Sequence, residues 1–504
     1  MSVKILSSAL VGLEAKPIEV EVDFTSGLHS FSIVGLPDKA VEESKERVSS
    51  AVKNSGAKSP QRHNRRITIN LAPANLKKQG PSYDLAIAVG FLLASEQMKK
   101  VDLKDKLFIG ELSLDGSLRK VNGILPTAIR ARQESKILVI PAENLKEADL
   151  VDGLRILAVK NLKELLLALE GQDEKIVVGS GSGNIENFSN NDLIDFAFIQ
   201  GQGNIKRALE IAAAGGHNIF MSGSPGSGKT LLSRALPSIL PRMTKEEILE
   251  VTKIYSVAGL LPQNESTIIE RPFRSPHHLS SSVALIGGGA HIKPGEVTLA
   301  HRGILFLDEF PEFHRDVIEA LRQPMEDGFV NIARAQEALA FPARFTLVAS
   351  SNPCPCGYLN DPDKECTCVP SQIARYQRKI SGPILDRIDI KVEVPRVGFD
   401  KLSSEKVAEE SGKIQERTKK AREIQEARGI ISSEMAISQI KEYCKTDVAS
   451  QDLLRNAMLR LNLSPRSYHK VLKVARTIAD LDGKESISRD HIAEAISYQE
   501  KKSE

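Results

Sequence analysis

The sequence is short of several things, and each shortage narrows the reading. No apolar run approaches the ~20 residues a helix needs to cross a bilayer, so a membrane-spanning protein is not expected. Neither sign of charge is in excess. Lys and Arg number 68 against 65 Asp and Glu, a formal net charge of +3. That balance excludes attachment to nucleic acid by bulk charge and leaves room only for local basic patches. Tryptophan is absent, which excludes nothing. Cysteine is scarce, five in 504 residues, and four of the five crowd between 354 and 368. The start, Met1-Ser-Val-Lys-Ile-Leu-Ser-Ser-Ala-Leu10, runs on into strand-like sequence without the break that follows a signal peptide. The expectation is a cytoplasmic protein, in which disulfides are not formed. What is present, 41% hydrophobic and 26% charged residues, is the balance of a globular chain. The length suits about three domains.

The densest motif is Gly223-Ser-Pro-Gly-Ser-Gly-Lys-Thr230, a full match to G-x-x-x-x-G-K-[ST]. Apolar Asn218-Ile-Phe-Met-Ser222 precedes it, and helix-forming Leu231-Leu-Ser-Arg-Ala-Leu236 follows. Strand, glycine loop and helix in that order make a phosphate-binding loop. Gly223, Gly226 and Gly228, with Ser224, Pro225 and Ser227 between them, let backbone N–H groups turn inward around a polyphosphate. Lys229 then reaches the β- and γ-phosphates, and the Thr230 hydroxyl ligates Mg²⁺.

Downstream, Gly303-Ile-Leu-Phe-Leu-Asp-Glu309 is an apolar strand ending in two carboxylates. Asp308 suits Mg²⁺ and Glu309 suits polarising an attacking water, which asks for a strand tip adjacent to the phosphate loop. Phe345-Thr-Leu-Val-Ala-Ser-Ser-Asn352 is the next strand. Asn352 either orients that water or merely ends the strand in a turn. In Ser381-Gly-Pro-Ile-Leu-Asp-Arg-Ile-Asp389, Arg387 either enters a neighbouring subunit's nucleotide site or pairs with Asp389. Arg375 and Arg378 are rivals for the first role. Ile205 to Ala214 is helical, with Gln200 and Gln202 just before it. Val407 to Arg428 is a solvated helix with i,i+4 pairs. Ser464 caps a helix that starts at Pro465 and carries Arg466 in its first turn. Asp490 to Tyr498 is a last short helix.

Residues 1–170 read as a mixed α/β domain. Ile18 to Phe24 alternates at period two, as a half-buried strand does. Phe31–Leu36, Ile67–Leu71, Leu107–Ile109 and Ile137–Ile140 are further strands. Asp38–Val52 and Pro126–Gln133 are helical. Leu85–Leu93 is apolar all round, hence a buried helix. Val178-Gly-Ser-Gly-Ser-Gly-Asn184 marks a flexible linker over 171–190.

Two resemblances rest on particular residues. Gly80-Pro-Ser82, Gly110-Glu-Leu-Ser-Leu-Asp-Gly116, Asn122-Gly123 and Val139-Ile-Pro141 resemble the proteolytic domain of Lon, a Ser-Lys peptidase. The resemblance puts Ser82 at the nucleophile position, but Leu125 stands where that family carries its lysine. Lys77 and Lys78 lie nearby, with no spacing that supports them as substitutes. A serine without a base is a poor nucleophile. No peptidase activity is expected, and the domain is read as an oligomerisation or substrate-docking ring.

The order glycine loop, Asp-Glu strand, Asn strand, Leu-Asp-Arg and lid arginine resembles that of an AAA+ ATPase. Arg271-Pro-Phe-Arg-Ser-Pro-His-His278, Gly287-Gly-Gly289, Leu321-Arg-Gln-Pro-Met-Glu-Asp-Gly328, Phe341-Pro-Ala-Arg344 and Asn352-Pro-Cys-Pro-Cys-Gly357 narrow the resemblance. They are similar to the magnesium-chelatase-like ATPases of the ComM and YifB family, over nearly the whole chain. The resemblance implies an α/β protein: a Lon-protease-like domain at 1–170, an AAA+ core with a parallel sheet at 191–396, and a helical lid at 397–504. It implies ATP and Mg²⁺, a homo-oligomeric ring, hexameric, and Arg466 at the nucleotide. It also implies helicase or branch-migration work on single-stranded or branched DNA during natural transformation. A chelatase-type motor, remodelling a protein partner or inserting Mg²⁺ into a porphyrin, is the alternative.

Two segments suit a central pore, Ser280–Gly289 and a hairpin over Val330–Leu339. Arg334 near the hairpin tip is a candidate contact to a DNA phosphate, or a solvated arginine. His277 and His278 suit nucleotide, metal, DNA or packing. Cys354-Pro-Cys356 and Cys366-Thr-Cys368 are two tight pairs that suit a tetrahedral structural Zn²⁺ closing the loop 354–368, or reduced thiols without metal. Cys444 reads as a small core residue.

Overall fold

The computed structural model describes residues 2–171, 175–181, 193–262, 265–289, 292–333, 338–380, 382–397, 408–461 and 463–499. The chain divides into two units. One is Met1–Asn187 with Ile248–Ile269, the other Phe188–Glu247 with Glu270–Glu504.

The first unit is organised on a long antiparallel hairpin, Ser2–Val11 with Glu14–Ser26. Gly12 turns the chain with φ 61°, a conformation glycine adopts without strain. Along the second strand Ile18, Val20 and Val22 are buried, while Glu19, Glu21 and Asp23 alternate with them on the other face. The sheet has eight strands, in the order Ile176–Val178, Arg155–Val159, Ile137–Pro141, Lys106–Phe108, Ser2–Val11, Glu14–Ser26, Arg65–Ala72, Ser30–Val34. The helix Asp84–Ala94, apolar from Leu85 onward, packs against the hairpin. Gly90 permits the approach, since a Cβ there would lie 2.6 Å from Val22 Cγ2. The helix expected over 38–52 breaks at Glu43 into Lys39–Glu42 and Ser44–Asn54. Asp38 caps the first piece by accepting the Val41 N–H at 2.9 Å.

Part of the stretch read as a flexible linker is instead an edge strand. Ile176–Val178 pairs antiparallel with Arg155–Val159 because its β-branched run can extend that edge. Residues 172–174 and 182–190 of the same stretch lie outside the described residues. Residues 248–269, between the glycine loop and the carboxylate strand in sequence, group with the first unit. Val251 and Ile254 are fully buried there, and the Gly123 N–H donates to the Ser256 carbonyl at 3.1 Å.

The second unit holds a five-stranded parallel sheet, ordered Phe273–Arg274, Ile304–Leu307, Thr346–Ser351, Ile219–Ser222, Ile390–Glu393. Ile304–Leu307 is apolar and buried along its whole length, as a strand covered on both faces requires. The helices Ser411–Ala427, Val448–Arg460, Pro465–Leu481 and Arg489–Ser497 follow. Ser464 caps the third, accepting the Ser467 N–H at 3.2 Å. Phe329–Ala333 and Ala338–Pro342 form an antiparallel hairpin. Arg334, the candidate DNA contact, lies outside the described residues. Among the described residues no helix is long and apolar enough to cross a membrane.

Gly303 opens the carboxylate strand in a space without room for a side chain. A Cβ would lie 2.0 Å from the Pro272 carbonyl oxygen. Gly303→Ala is expected to destabilise this unit by about 1–3 kcal/mol, through backbone displacement. Gly412→Ala, where a Cβ meets nothing within 4 Å, is expected to leave it unchanged or slightly more stable. Differential scanning calorimetry of the two variants checks the contrast.

Candidate nucleotide site and thiolate cluster

The glycine loop leaves its strand at Ser222 and enters the helix Lys229–Ala235. Gly226 and Gly228 have φ of 77° and 92°, so both need glycine. Gly223 needs it for another reason: a Cβ would lie 2.4 Å from the Val394 carbonyl oxygen. Lys229 Nζ turns back under the loop. It donates to the carbonyls of Gly223 at 2.6 Å and Ser224 at 3.0 Å, and to Asn352 Oδ1 at 3.3 Å. Burial lowers its pKa, while Asp308 and Glu309 act to hold it charged. Ser227 Oγ is buried with no hydrogen-bond partner. A buried hydroxyl left unpaired in such a loop fits a ligand that supplies the missing partner.

The carboxylate strand lies in the same sheet as the glycine-loop strand, though it is not its immediate neighbour. Thr346–Ser351 runs between them. The contact forms nonetheless, because all three are parallel and end at the same edge. Thr230 Oγ1 donates to Asp308 Oδ2 at 2.8 Å. Asp308 Oδ1 accepts the Glu309 N–H at 3.0 Å and the Ser350 hydroxyl from the intervening strand. Ser350 is a site residue that sequence patterns passed over. Its signal was its place two residues before Asn352. Glu309 sits at φ 52°, its carboxylate half exposed and 3.4 Å from His278 Nδ1. The ring of His277 lies 4.1 Å from that of His278. Gln202, just before the helix Gly203–Gly215, braces the glycine loop through Nε2 to the Ser227 carbonyl at 2.7 Å. Ammonium, hydroxyl, two carboxylates and an amide around one glycine loop fit a Mg²⁺-nucleotide.

Arg387 and Arg466 meet elsewhere, on one oxygen. Glu326 Oε1 lies 2.5 Å from Arg387 Nη2 and 2.7 Å from Arg466 Nη2. The two guanidiniums, Arg387 first, hold the Glu326 carboxyl below its ordinary range. The alternative pair with Asp389 is not made; that carboxylate takes the Asn218 N–H at 3.3 Å and faces His217 Nδ1 at 3.4 Å. Arg387 Nε is buried without a partner. Both arginines line a cavity of about 670 Å³, which no residue of the loop 223–230 lines. Glu326, within Leu321–Gly328, carries no mark of this role in the sequence, since nothing local ties it to residues 61 and 140 positions away. Arg375 and Arg378 line a different cavity of about 860 Å³, with Arg315, Arg322 and Lys379 against Glu312 and Glu319.

The four cysteines converge. Their Sγ atoms all lie within 4.8 Å of one another. Cys354 Sγ is 3.4 Å from Cys356 Sγ and 3.6 Å from Cys366 Sγ, and Cys356 to Cys366 is 3.6 Å. A tetrahedral zinc with ~2.3 Å bonds to sulfur has edges of about 3.8 Å, so the donor set fits. In the first unit, the Lon-like positions are filled differently. Leu125 is fully buried, and its N–H donates to Glu147 Oε1 at 2.8 Å. Ser82 is half-buried, and the buried Lys78 amine donates to the Pro73 carbonyl.

Family comparisons agree with this geometry. Residues 195–402 match the family "Magnesium chelatase, subunit ChlI". Residues 20–144 match "Subunit ChlI of Mg-chelatase", and 408–499 its C-terminal part. Competence protein ComM of Haemophilus influenzae is 42% identical over 501 residues, covering 98% of this chain and 96% of its own. The chain belongs to the magnesium-chelatase-like ComM and YifB family. YifB of Escherichia coli is 40% identical over 99% of this chain and 97% of its own. A chloroplastic magnesium-chelatase subunit ChlI of Oryza sativa is 23% identical, over 60% of this chain and 73% of its own. For this AAA+ family the glycine loop and its carboxylates imply ATP and Mg²⁺.

The cavity that holds the two arginines also carries a titratable signature. Lys470 Nζ donates to the Ile388 carbonyl at 2.8 Å, and burial lowers its pKa to about 8 from 10.5. Between those values the unfolded chain binds more protons than the folded one, so stability rises with pH across that window. Below pH 8 the penalty of the buried charge is present in full. Lys470→Met is expected to flatten this rise, measured by urea unfolding between pH 7.5 and pH 10.

Proposed function

We propose that this protein is an ATP-hydrolysing, ring-forming motor that moves single-stranded or branched DNA. Its setting would be recombination during natural transformation, in the cytoplasm, and its ring a hexamer. The observation that carries the ATPase reading is the Thr230–Asp308 contact of 2.8 Å beside Lys229 and Asn352. Lys229 binds the β- and γ-phosphates. Thr230 and Asp308 hold Mg²⁺, which neutralises phosphate charge when bound. Glu309 polarises the attacking water and Asn352 orients it. Arg387 serves the nucleotide of the next subunit, a reading supported by the cavity it lines, which no residue of its own glycine loop lines, and Arg466, on the same Glu326 oxygen, meets nucleotide from the lid. The Lon-like region 1–170 acts as a docking or ring-forming domain, and 397–504 as the lid.

The DNA half of the proposal is supported by similarity to a protein named for competence. It is also supported by the arginine excess in the cavity that holds Arg375 and Arg378. The alternative, a motor that remodels a protein or serves porphyrin metallation, is supported by the more distant likeness to a chelatase subunit.

ATP turnover is expected to rise with forked or single-stranded DNA and not with protein alone; no rise with either DNA shifts the assignment to protein remodelling. Glu309→Gln is expected to bind ATP and lose hydrolysis by on the order of 10²-fold or more, read by phosphate release. Arg387→Ala alone is expected to cost about 10³-fold in turnover. Mixing it with Lys229→Ala subunits is expected to restore part of the activity, which a finger acting within its own subunit would not allow.

A further inference from the structure

The thiolate cluster and the glycine loop are in physical contact through the loop that the cysteines close. Cys354 lies two residues after Asn352, which takes the Lys229 ammonium at 3.3 Å. Gly357, next to Cys356, sits at φ 85° against the ring of Pro225. A Cβ there would lie 2.5 Å from Pro225 Cδ and 2.6 Å from Pro225 Cγ. The Asp361 carboxylate faces the Ser224 hydroxyl, which lowers its pKa; its Oδ1 accepts the N–H groups of Asp363 at 3.0 Å and Lys364 at 3.1 Å, and Arg396 Nε lies 2.9 Å from Oδ2. Ser224 and Pro225 are the two residues after the first glycine of the phosphate loop. The cysteine loop therefore meets that loop at two successive residues, by packing at Pro225 and by a carboxylate that faces the Ser224 hydroxyl.

What orders the cysteine loop is less evident. No helix or strand lies between Ser351 and Pro370. The contacts within it are turns, such as Gly357 N–H to the Cys354 carbonyl at 3.0 Å and Asp361 N–H to the Tyr358 carbonyl at 3.1 Å. Turns of this kind do not hold a segment against its conformational entropy. Four sulfurs at tetrahedral spacing do, once a cation joins them. The Cys356 N–H donating to Cys368 Sγ at 3.4 Å is the outer-shell contact that such a thiolate takes.

We propose that zinc held by Cys354, Cys356, Cys366 and Cys368 sets the nucleotide affinity of the glycine loop, with Gly357 and Asp361 as the coupling contacts. This rests on the nucleotide reading of the loop above. With the cluster closed, Ser224 and Pro225 are held before nucleotide arrives. With the cluster open, nucleotide must order both loops itself, and the cost appears as weaker binding. Gly357 and Asp361 are positioning residues; neither is assigned a part in hydrolysis.

The test uses the full chain. Bound metal is measured by elemental analysis, and affinity by equilibrium titration with a fluorescent non-hydrolysable ATP analogue at constant Mg²⁺. About one zinc per chain is expected. Stripping it with a chelator, then removing the chelator, is expected to weaken binding at least about tenfold. Zinc restores the affinity and added Mg²⁺ does not. Gly357→Ala is expected to keep its zinc and still lose a comparable factor, which separates coupling from misfolding in Cys366→Ser. Unchanged analogue affinity after reversible removal of zinc overturns the proposal. So does full affinity in a chain that never binds zinc. Failure of the zinc-loaded protein to bind the analogue at all overturns instead the nucleotide reading on which it rests.

Discussion

Lys229 lies buried beneath the glycine loop, its ammonium shared between the carbonyls of Gly223 and Ser224 and the side chain of Asn352. Three neighbouring segments of the second unit converge on that one charge. The loop must curl so that its carbonyls face inward. The Asn strand must run beside the loop strand and end level with it. The carboxylates of Asp308 and Glu309 must stand close enough to keep the ammonium protonated against the cost of burial. Parallel register meets all three demands together: Ser222 pairs with Ser351, and Leu307 with Ala349, so their ends stack at one edge. A phosphate chain entering the loop would take over bonds the ammonium now makes to its own backbone.

The two arginines show the opposite arrangement. They share a single carboxylate oxygen on Glu326, and Arg387 retains a buried donor with no partner. One oxygen shared by two guanidiniums leaves donors over, and the buried Nε of Arg387 is one of them. In the first unit the reverse has happened. The place where a peptidase of the Lon type needs a lysine is occupied by Leu125, folded into the core, with its backbone N–H on Glu147.

Much of this was legible in the residues themselves. Alternation in Ile18–Phe24 marked a strand that the structure extends to Glu14–Ser26. Ser464 before Pro465 marked a helix start that holds to the residue. Other elements were not legible. Ile176–Val178 looks like the edge of a Gly/Ser linker until Arg155–Val159 offers it a partner. The break at Glu43 has no breaker residue in it. Gln202 carries an amide suited to many partners, and only the fold brings the Ser227 carbonyl to it.

The sequence by itself determined the chemistry available: a glycine loop with its lysine and threonine, two carboxylates at a strand end, four thiols in two tight pairs. These are local properties, because backbone freedom at φ > 0 and side-chain donor type belong to single residues and short spacings. Only the tertiary structure decided who meets whom. It inserted the Asn strand between the loop and the carboxylates, put both arginines on Glu326, and laid the cysteine loop against Ser224 and Pro225. Those pairings depend on strand order and register, which are settled by burying apolar faces across the whole sheet and leave no mark in any one stretch of chain.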